Sequence, residues 1–333
     1  MENTIDAQTE PLMVTIRCIT FNQASYIRDC LDGFVMQKTN FRFEAIVHDD
    51  ASTDGNAEII KEYGEKYPNI IKPILETENQ YSKHDGSLGR IMDEHTHGKY
   101  VAFCEGDDYW IDPLKLQKQV DFLESHPDYS MCWSDGLMET NGVKQKINRY
   151  LASGETPMTD IIENGGAFVP TCSIVVRKSV LGSMPKEAKG WYVGDFPLQM
   201  WCGWKGKVWY MVEPTIVYRY MSKGSWTEKY LKKSNKAKYL NMYLKECPMM
   251  AEFNKLTEFR YNDSFEIYAA KKTYNLLLWA EAYDKLKPYY KLRKKHGIYT
   301  GKVETLLVFG YPRLAKVLMF VIKLKNRVLT AFR

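Results

Sequence analysis

Apolar residues in the N-terminal third alternate between two rhythms. The run VTIRCIT at Val14–Thr20 is short and β-branched, which predicts a strand. After the loop FNQAS, residues Ile27, Cys30, Leu31, Phe34 and Val35 recur at helical spacing, with Ser25 placed to cap the helix. FEAIVHDD, Phe43–Asp50, is a second strand; ASTDG turns the chain, and Ala57, Ile60 and Tyr63 mark one side of a second helix. A third strand falls near Ile70–Ile74. This βαβαβ order predicts an α/β fold, a mostly parallel, Rossmann-like sheet with helices on both faces.

Farther on, LGRIMDEH has helical spacing and leads into a strand at Tyr100–Cys104. Pro113 suits the start of the next helix, and Leu116, Val120 and Leu123 form its apolar stripe. YSMCWSD is another strand. From about 137 to 165 periodicity is weak and polar residues are many, which predicts a loop-rich crossing over the candidate site. SIVVRKSVL returns to strand and helix. Pro197 then suits a first helical turn, with Gly203 and Gly206 at its end and a strand at Val208–Val212. Asp195 therefore sits at or just before a helix N-terminus, where the dipole favours a carboxylate. Beyond about Thr227 the chain turns to Lys, Tyr, Leu and Asn at long helical spacing. The expected organisation is a lead-in at 1–10, an α/β domain at 11–226 and a helical region at 227–333.

Composition narrows the class. A chain of 333 residues, 45% hydrophobic and 26% charged, can bury a sizeable core and is neither disordered nor fibrous. Seven cysteines, none in a CxxC pair, point to reduced thiols and a cytosolic setting. MENTIDAQTEPL lacks the basic flank and apolar core of a signal peptide and reads as a disordered lead-in, and no apolar window is long enough to span a bilayer. The net charge of +5 is unevenly distributed. The tail from about 311 to 333 holds Lys316, Lys323, Lys325, Arg327 and Arg333 among apolar residues and no acid, the pattern of an interfacial helix on anionic lipid. No nucleic-acid-binding motif is visible, so nucleic acid is not expected as a partner.

Acids follow two of the predicted strands. YVAFCEGDDYW sets Glu105, Asp107 and Asp108 behind one, and HDDASTDG sets Asp49 and Asp50 behind another. Ligands in open α/β sheets gather beyond the carboxyl ends of strands. Carboxylates there, separated by a Gly that permits close approach, can share a hard divalent cation with a phosphate-bearing substrate. Turn formation and helix capping account for Ser52, Thr53 and Asp54. For Asp50 a ligand role is preferred. His95 and His97 have no third ligand nearby and read as a polar helix end. The tryptophans after 190 are mainly packing, with Trp191 and Trp226 as candidates for stacking on a sugar acceptor.

Taken in order, VTIRCITFNQASYIRDCLDGFVMQ, FEAIVHDDASTDG and GRIMDEHTHGKYVAFCEGDDYWIDPLKLQKQVDFLESHPD resemble family 2 glycosyltransferases of the GT-A fold, closely over residues 11–135 and loosely to about 222. The resemblance implies that Glu105-Gly106-Asp107 is the DxD motif, with Glu in place of the first Asp. Asp107 is then the leading ligand for Mn²⁺ or Mg²⁺, followed by Glu105 and Asp108. It also implies that Asp50 contacts the nucleotide base, that Ile19 and Phe21 line its pocket, that Arg90 lies near the nucleotide, and that Asp195 is the catalytic base. Leaving-group stabilisation by a cation and deprotonation of the acceptor by one carboxylate would give direct, inverting displacement. The implied function is an inverting, metal-dependent glycosyltransferase with a nucleotide diphosphate donor, UDP the expected nucleotide. Its acceptor would be a polysaccharide or lipid-linked oligosaccharide at the inner membrane face, as in bacterial surface polysaccharide synthesis. A catalytically silent nucleotide-sugar-binding scaffold is the alternative.

Overall fold

The computed structural model describes residues 11–185, 194–231, 233–311, 313–315, 317–318 and 321. The expected lead-in at 1–10, Trp191 and the basic residues Lys316, Lys323, Lys325, Arg327 and Arg333 lie outside the described residues. The chain divides into two compact units, one of Met1–Ile161 with Gly166–Lys229, the other of Ile162–Gly165 with Tyr230–Arg333.

The first unit opens with β1 (Leu12–Thr20), α1 (Ile27–Val35), β2 (Arg42–Asp49), α2 (Asn56–Lys66), β3 (Ile71–Leu75), α3 (Ser87–Glu94) and β4 (Tyr100–Phe103). These strands lie side by side in the order β3-β2-β1-β4, all parallel. Alternation along β1 explains the layers. Val14, Ile16 and Cys18 enter a core with Ile27, Cys30, Leu31 and Phe34 of α1 and with Leu116, Val120 and Leu123. The residues between them face α3: Arg17 pairs with Asp93 at 2.6 Å, and Thr15 Oγ1 accepts from Gly98 N at 2.9 Å. Ser25 does not cap α1. The cap position is Tyr26, and the amides of Tyr26 and Ile27 both donate to Gln23 O at 2.9 and 3.0 Å, so the loop carbonyl performs the task expected of the serine.

The sheet continues through β5 (Tyr109–Trp110), α4 (Lys115–Ser125), β6 (Tyr129–Thr140), β7 (Val143–Lys146), β8 (Gly154–Glu155), α5 (Met158–Asn164), β9 (Val175–Arg177), α6 (Lys178–Gly182), α7 (Asp195–Lys205) and β10 (Lys207–Arg219). Here the expectation of a mostly parallel sheet needs correcting to a mixed one. Strand β9 inserts antiparallel between β4 and β6, and β10 runs parallel to β6 but antiparallel to β5. The stretch 137–165 is likewise not all loop, since it holds the end of β6, its hairpin partner β7, β8 and α5.

Cysteines distant in sequence meet in the core. Cys30 Sγ lies 3.9 Å from both Cys18 Sγ and Cys104 Sγ, and the six cysteines described as free are all buried thiols. Burial pushes the Cys104 thiol up to about 12, which keeps it protonated and inert.

After α8 (Trp226–Leu231), the second unit is helical: α9 (Lys236–Leu256), α10 (Asn262–Tyr268), a π-helical turn at Ala269–Thr273, α11 (Tyr274–Trp279), α12 (Leu286–Lys295) and α13 (Lys302–Val308). Leu240, Tyr274, Leu277, Leu286 and Leu307 form its core. Buried Arg293 stacks over Tyr274 at 4.5 Å and donates to Ala270 O and Thr300 Oγ1.

Candidate active site

Strand β4 ends against the carboxyl end of β1, and the acidic turn begins there. Cys104 N donates to Arg17 O and Gly106 N to Ile19 O, both at 3.1 Å, so the turn is laced to the end of β1. Gly106 is required for this approach, because a Cβ at that position would fall 2.6 Å from Thr20 Oγ1 and Gln23 Oε1. The three acids then diverge. Asp108 is buried and its Oδ1 accepts from Arg219 N at 2.8 Å, tying the turn to the end of β10. Asp107 is 8% exposed, and its Oδ2 accepts from Ser222 Oγ at 2.6 Å, with the Gln23 side chain also bonding to its carboxylate. Glu105 is only partly buried, and among the described residues its carboxylate is met by its own backbone amide and by no other side chain.

Asp195 enters from the first turn of α7, where its Oδ1 accepts from Phe196 N at 2.7 Å and its carboxylate lies against Gly166. Burial raises the pKa of Asp195, outweighing the amide bond that favours its ionised form. The charges of this group act on one another. Glu105 is pushed up to about 7 by burial first, then by Asp107, with Asp195 adding to the effect. Asp107 is raised by burial, and Asp108 well above its usual range by burial followed by Asp107 and Glu105. Glu105, Asp107, Asp108 and Asp195 thus form one electrostatic cluster.

Nearby cations offset it only in part, Arg219 favouring the ionised form of Asp107. Arg219 donates to Asp107 O at 2.9 Å, but its charge is taken by Asp29 and it stacks on Tyr109 and Tyr26. Lys115 is fully buried, donating to Gln119 Oε1 at 2.7 Å and lying 4.3 Å over Trp110. Carboxylates of this turn, Asp107 raising the pKa of both Glu105 and Asp108, offer the oxygen donors that a hard divalent ion prefers.

The residues expected around a nucleotide are distributed unevenly. A cavity of about 120 Å³ is lined by Arg17, Ile19, Gly89, Met92, Phe103, Cys104 and Glu105, so Ile19 and Glu105 face one space. Phe21 is exposed on the loop after β1. Asp50 is buried, its oxygens accepting from Gln80 N at 2.6 Å and Tyr81 N at 3.1 Å. Arg90 is exposed on α3, turned toward Asp85 and donating to its carbonyl at 2.7 Å. Trp226 begins α8 and is half-buried. Ser222, Arg219 and Gln23 carry no spacing signal in the sequence; the one local hint is the Arg and Ser of VYRYMSKGSW at the end of a strand and just beyond it.

Glycosyl transferase family 2 matches residues 15–183, half of the chain. The chain belongs to that family. An uncharacterized protein of Mycobacterium tuberculosis is 34% identical over 223 residues, 65% of this chain and 61% of that protein. This family 2 chain therefore spans about three fifths of the length of that relative. The dTDP-rhamnosyl transferase RfbG of Shigella flexneri is 25% identical, covering 60% of this chain and 70% of its own. Among solved structures, S. aureus TarS in complex with UDP-GlcNAc matches with a TM-score of 0.55 at 18% identity, covering 91% of this chain and 88% of that one. At that identity the likeness establishes the fold, which is the GT-A fold with a helical C-terminal region.

Proposed function

We propose that this family 2 chain is an inverting glycosyltransferase that moves a sugar from a nucleotide diphosphate, with UDP the expected nucleotide, to a hydroxyl of a polysaccharide or lipid-linked oligosaccharide. The observation that carries the reading is the acidic turn after β4, laced to the end of β1 by Cys104 N and Gly106 N and bonded through Asp107 and Asp108 to Ser222 and Arg219, with Asp195 opening α7 in the same unit. Asp107 and Glu105 would hold a divalent cation, which supplies charge to the leaving diphosphate. Asp108 ties the turn in place through Arg219 N. Asp195 takes the proton of the acceptor hydroxyl as that oxygen bonds to the anomeric carbon and the bond to the diphosphate breaks. Its raised pKa makes it a stronger base once ionised. Ile19 and Phe21 border the space for the base, and Asp50 orders the segment at Gln80 and Tyr81 beside it.

The ligands of the relatives support the donor class: TarS is described with UDP and UDP-GlcNAc, and RfbG is named for dTDP-rhamnose transfer. Calorimetric titration of UDP with and without Mn²⁺, on the wild type and Asp107→Ala, tests it. Mn²⁺-dependent binding abolished by the substitution is expected; a wild type that binds UDP under neither condition would remove UDP as donor.

Association with an anionic membrane surface belongs to the same proposal. Residues 230–333 carry 22 Lys and Arg against 8 Asp and Glu. Near the C-terminus Phe309, Tyr311, Leu314, Val317 and Val321 are exposed, the last three at helical spacing. No helix among the described residues is long and apolar enough to cross a membrane. Flotation with anionic vesicles that is lost on truncation after residue 310 is the expected result; equal flotation of both forms would count against the tail.

A further inference from the structure

Leaving β10 at Arg219, the chain folds back over the acidic turn before α8 begins at Trp226. Among the bonds that hold this strap, Ser222 Oγ donates to Asp107 Oδ2 at 2.6 Å, Lys223 N to Tyr26 OH at 3.1 Å, and Gly224 N to Glu228 Oε2 at 2.8 Å. Met221 and Gly224 adopt φ values of +61° and +84°, a tight reversal with Lys223 at its tip. Lys223 is exposed and has no acidic partner among the described residues.

That freedom sets Lys223 apart from the other cations around the acidic turn. Arg219 is bound to Asp29, Arg17 to Asp93 and Thr96, and Arg90 to Asp85, while Lys115 is sealed beneath Trp110. A nucleoside diphosphate carries more negative charge than one divalent cation neutralises, and the carboxylates of Glu105 and Asp107 add to that charge. A further positive group is needed on the phosphate side. The strap brings one there, because the residue before Lys223 is bonded to Asp107 itself, and a lysine on its flexible stem meets phosphate as a compact point charge. Resting on the nucleotide-sugar reading above, we infer that Lys223 binds the diphosphate of the donor and of the leaving group. The Ser222–Asp107 bond ties the position of that lysine to the residue that would hold the metal.

The test is calorimetry on the full chain with Mn²⁺ present, using UDP, dTDP and GDP and the three corresponding nucleosides, on wild type, Lys223→Gln and Lys223→Arg. The diphosphate that the wild type binds should bind Lys223→Gln roughly tenfold more weakly, with nucleoside affinity changed by less than about twofold and most of the loss restored in Lys223→Arg. Equal weakening of diphosphate and nucleoside would mean that the strap is only a wall of the site, and the inference would fall. Unchanged diphosphate affinity in Lys223→Gln would overturn it while leaving the nucleotide-sugar reading intact. A wild type that binds none of the three diphosphates would overturn both.

Discussion

Strands β2 and β4 flank β1 in the sheet, and each ends in a run of acids, yet the two ends treat their charges in opposite ways. After β2, Asp49 accepts from Asn56 Nδ2 at 2.6 Å and Ser52 N at 2.9 Å, and Asp50 from the amides of Gln80 and Tyr81. Each carboxylate there has two donors supplied by the surrounding loops. After β4, Glu105 has no partner side chain among the described residues, and Asp107 is held by the Ser222 hydroxyl and the Gln23 side chain. Burial raises all three acids, and repulsion from Asp107 adds to it for Glu105 and Asp108. The first end uses its charge to build a loop, whereas the second keeps unspent charge at a cost to the folded state. Only the second has reason to gain from a cation.

The comparison breaks most decisively if the β4 end lacks a chemical partner. Asp195→Asn preserves shape and the bond from Phe196 N but cannot accept a proton. Turnover should fall by about 10²- to 10⁴-fold with donor affinity unchanged, read from initial rates and a separate binding titration. A variant of near wild-type turnover would remove Asp195 as the base, whereas a wild type that binds a nucleotide sugar without turning it over would favour the scaffold reading.

A smaller effect separates building from binding. Asp49→Ala leaves the buried Asn56 amide and the Ser52 amide without their acceptor, which should cost about 3 kcal/mol in a urea melt. Asp107→Asn relieves repulsion and keeps an oxygen for the Ser222 hydroxyl, so its midpoint should stay the same or rise. If Asp107→Asn proved the more destabilising of the two, the assignment of roles to the strand ends would have to be exchanged.

How far the sequence could reveal this arrangement depends on how local each signal is. The parallel strands β1 to β4 were readable because each is an apolar run followed by a helix or turn of matching period. The place of Asp195 at a helix start was readable because Gly194 precedes it and Pro197 fixes the helical turn it begins. The direction of β9 was not, since a run of only Val175–Arg177 looks the same in either orientation. The hairpin strand β7, VKQK, is exposed throughout and shows no apolar alternation, so it passed for loop. Ser222 and Arg219 act on acids 115 and 111 positions earlier in the chain. Contacts of that separation leave no trace in spacing, and the same holds for Cys18, Cys30 and Cys104.

The smallest expected effect sharpens the comparison at its electrostatic root. Glu105, at about 7 in the folded chain against 4.5 ordinarily, binds a proton more readily folded than unfolded, so its contribution to stability is present below about pH 4.5 and is lost as pH rises toward 7. A divalent cation reverses the preference, since it binds the ionised form and must displace the proton wherever Glu105 still holds one. Mn²⁺ affinity, measured by calorimetry without nucleotide, should therefore weaken as pH falls below about 7, by up to about tenfold per pH unit if Glu105 alone controls it. Glu105→Gln should bind Mn²⁺ less tightly at pH 8 but with a shallower dependence on pH. An equal slope in both proteins would shift control to Asp107 or Asp108, whose pKa values are raised as well. Asp49→Ala should leave the slope unchanged, because the Asp49 carboxylate is bonded to Ser52 N and Asn56 Nδ2 after β2 and takes no part in the turn after β4.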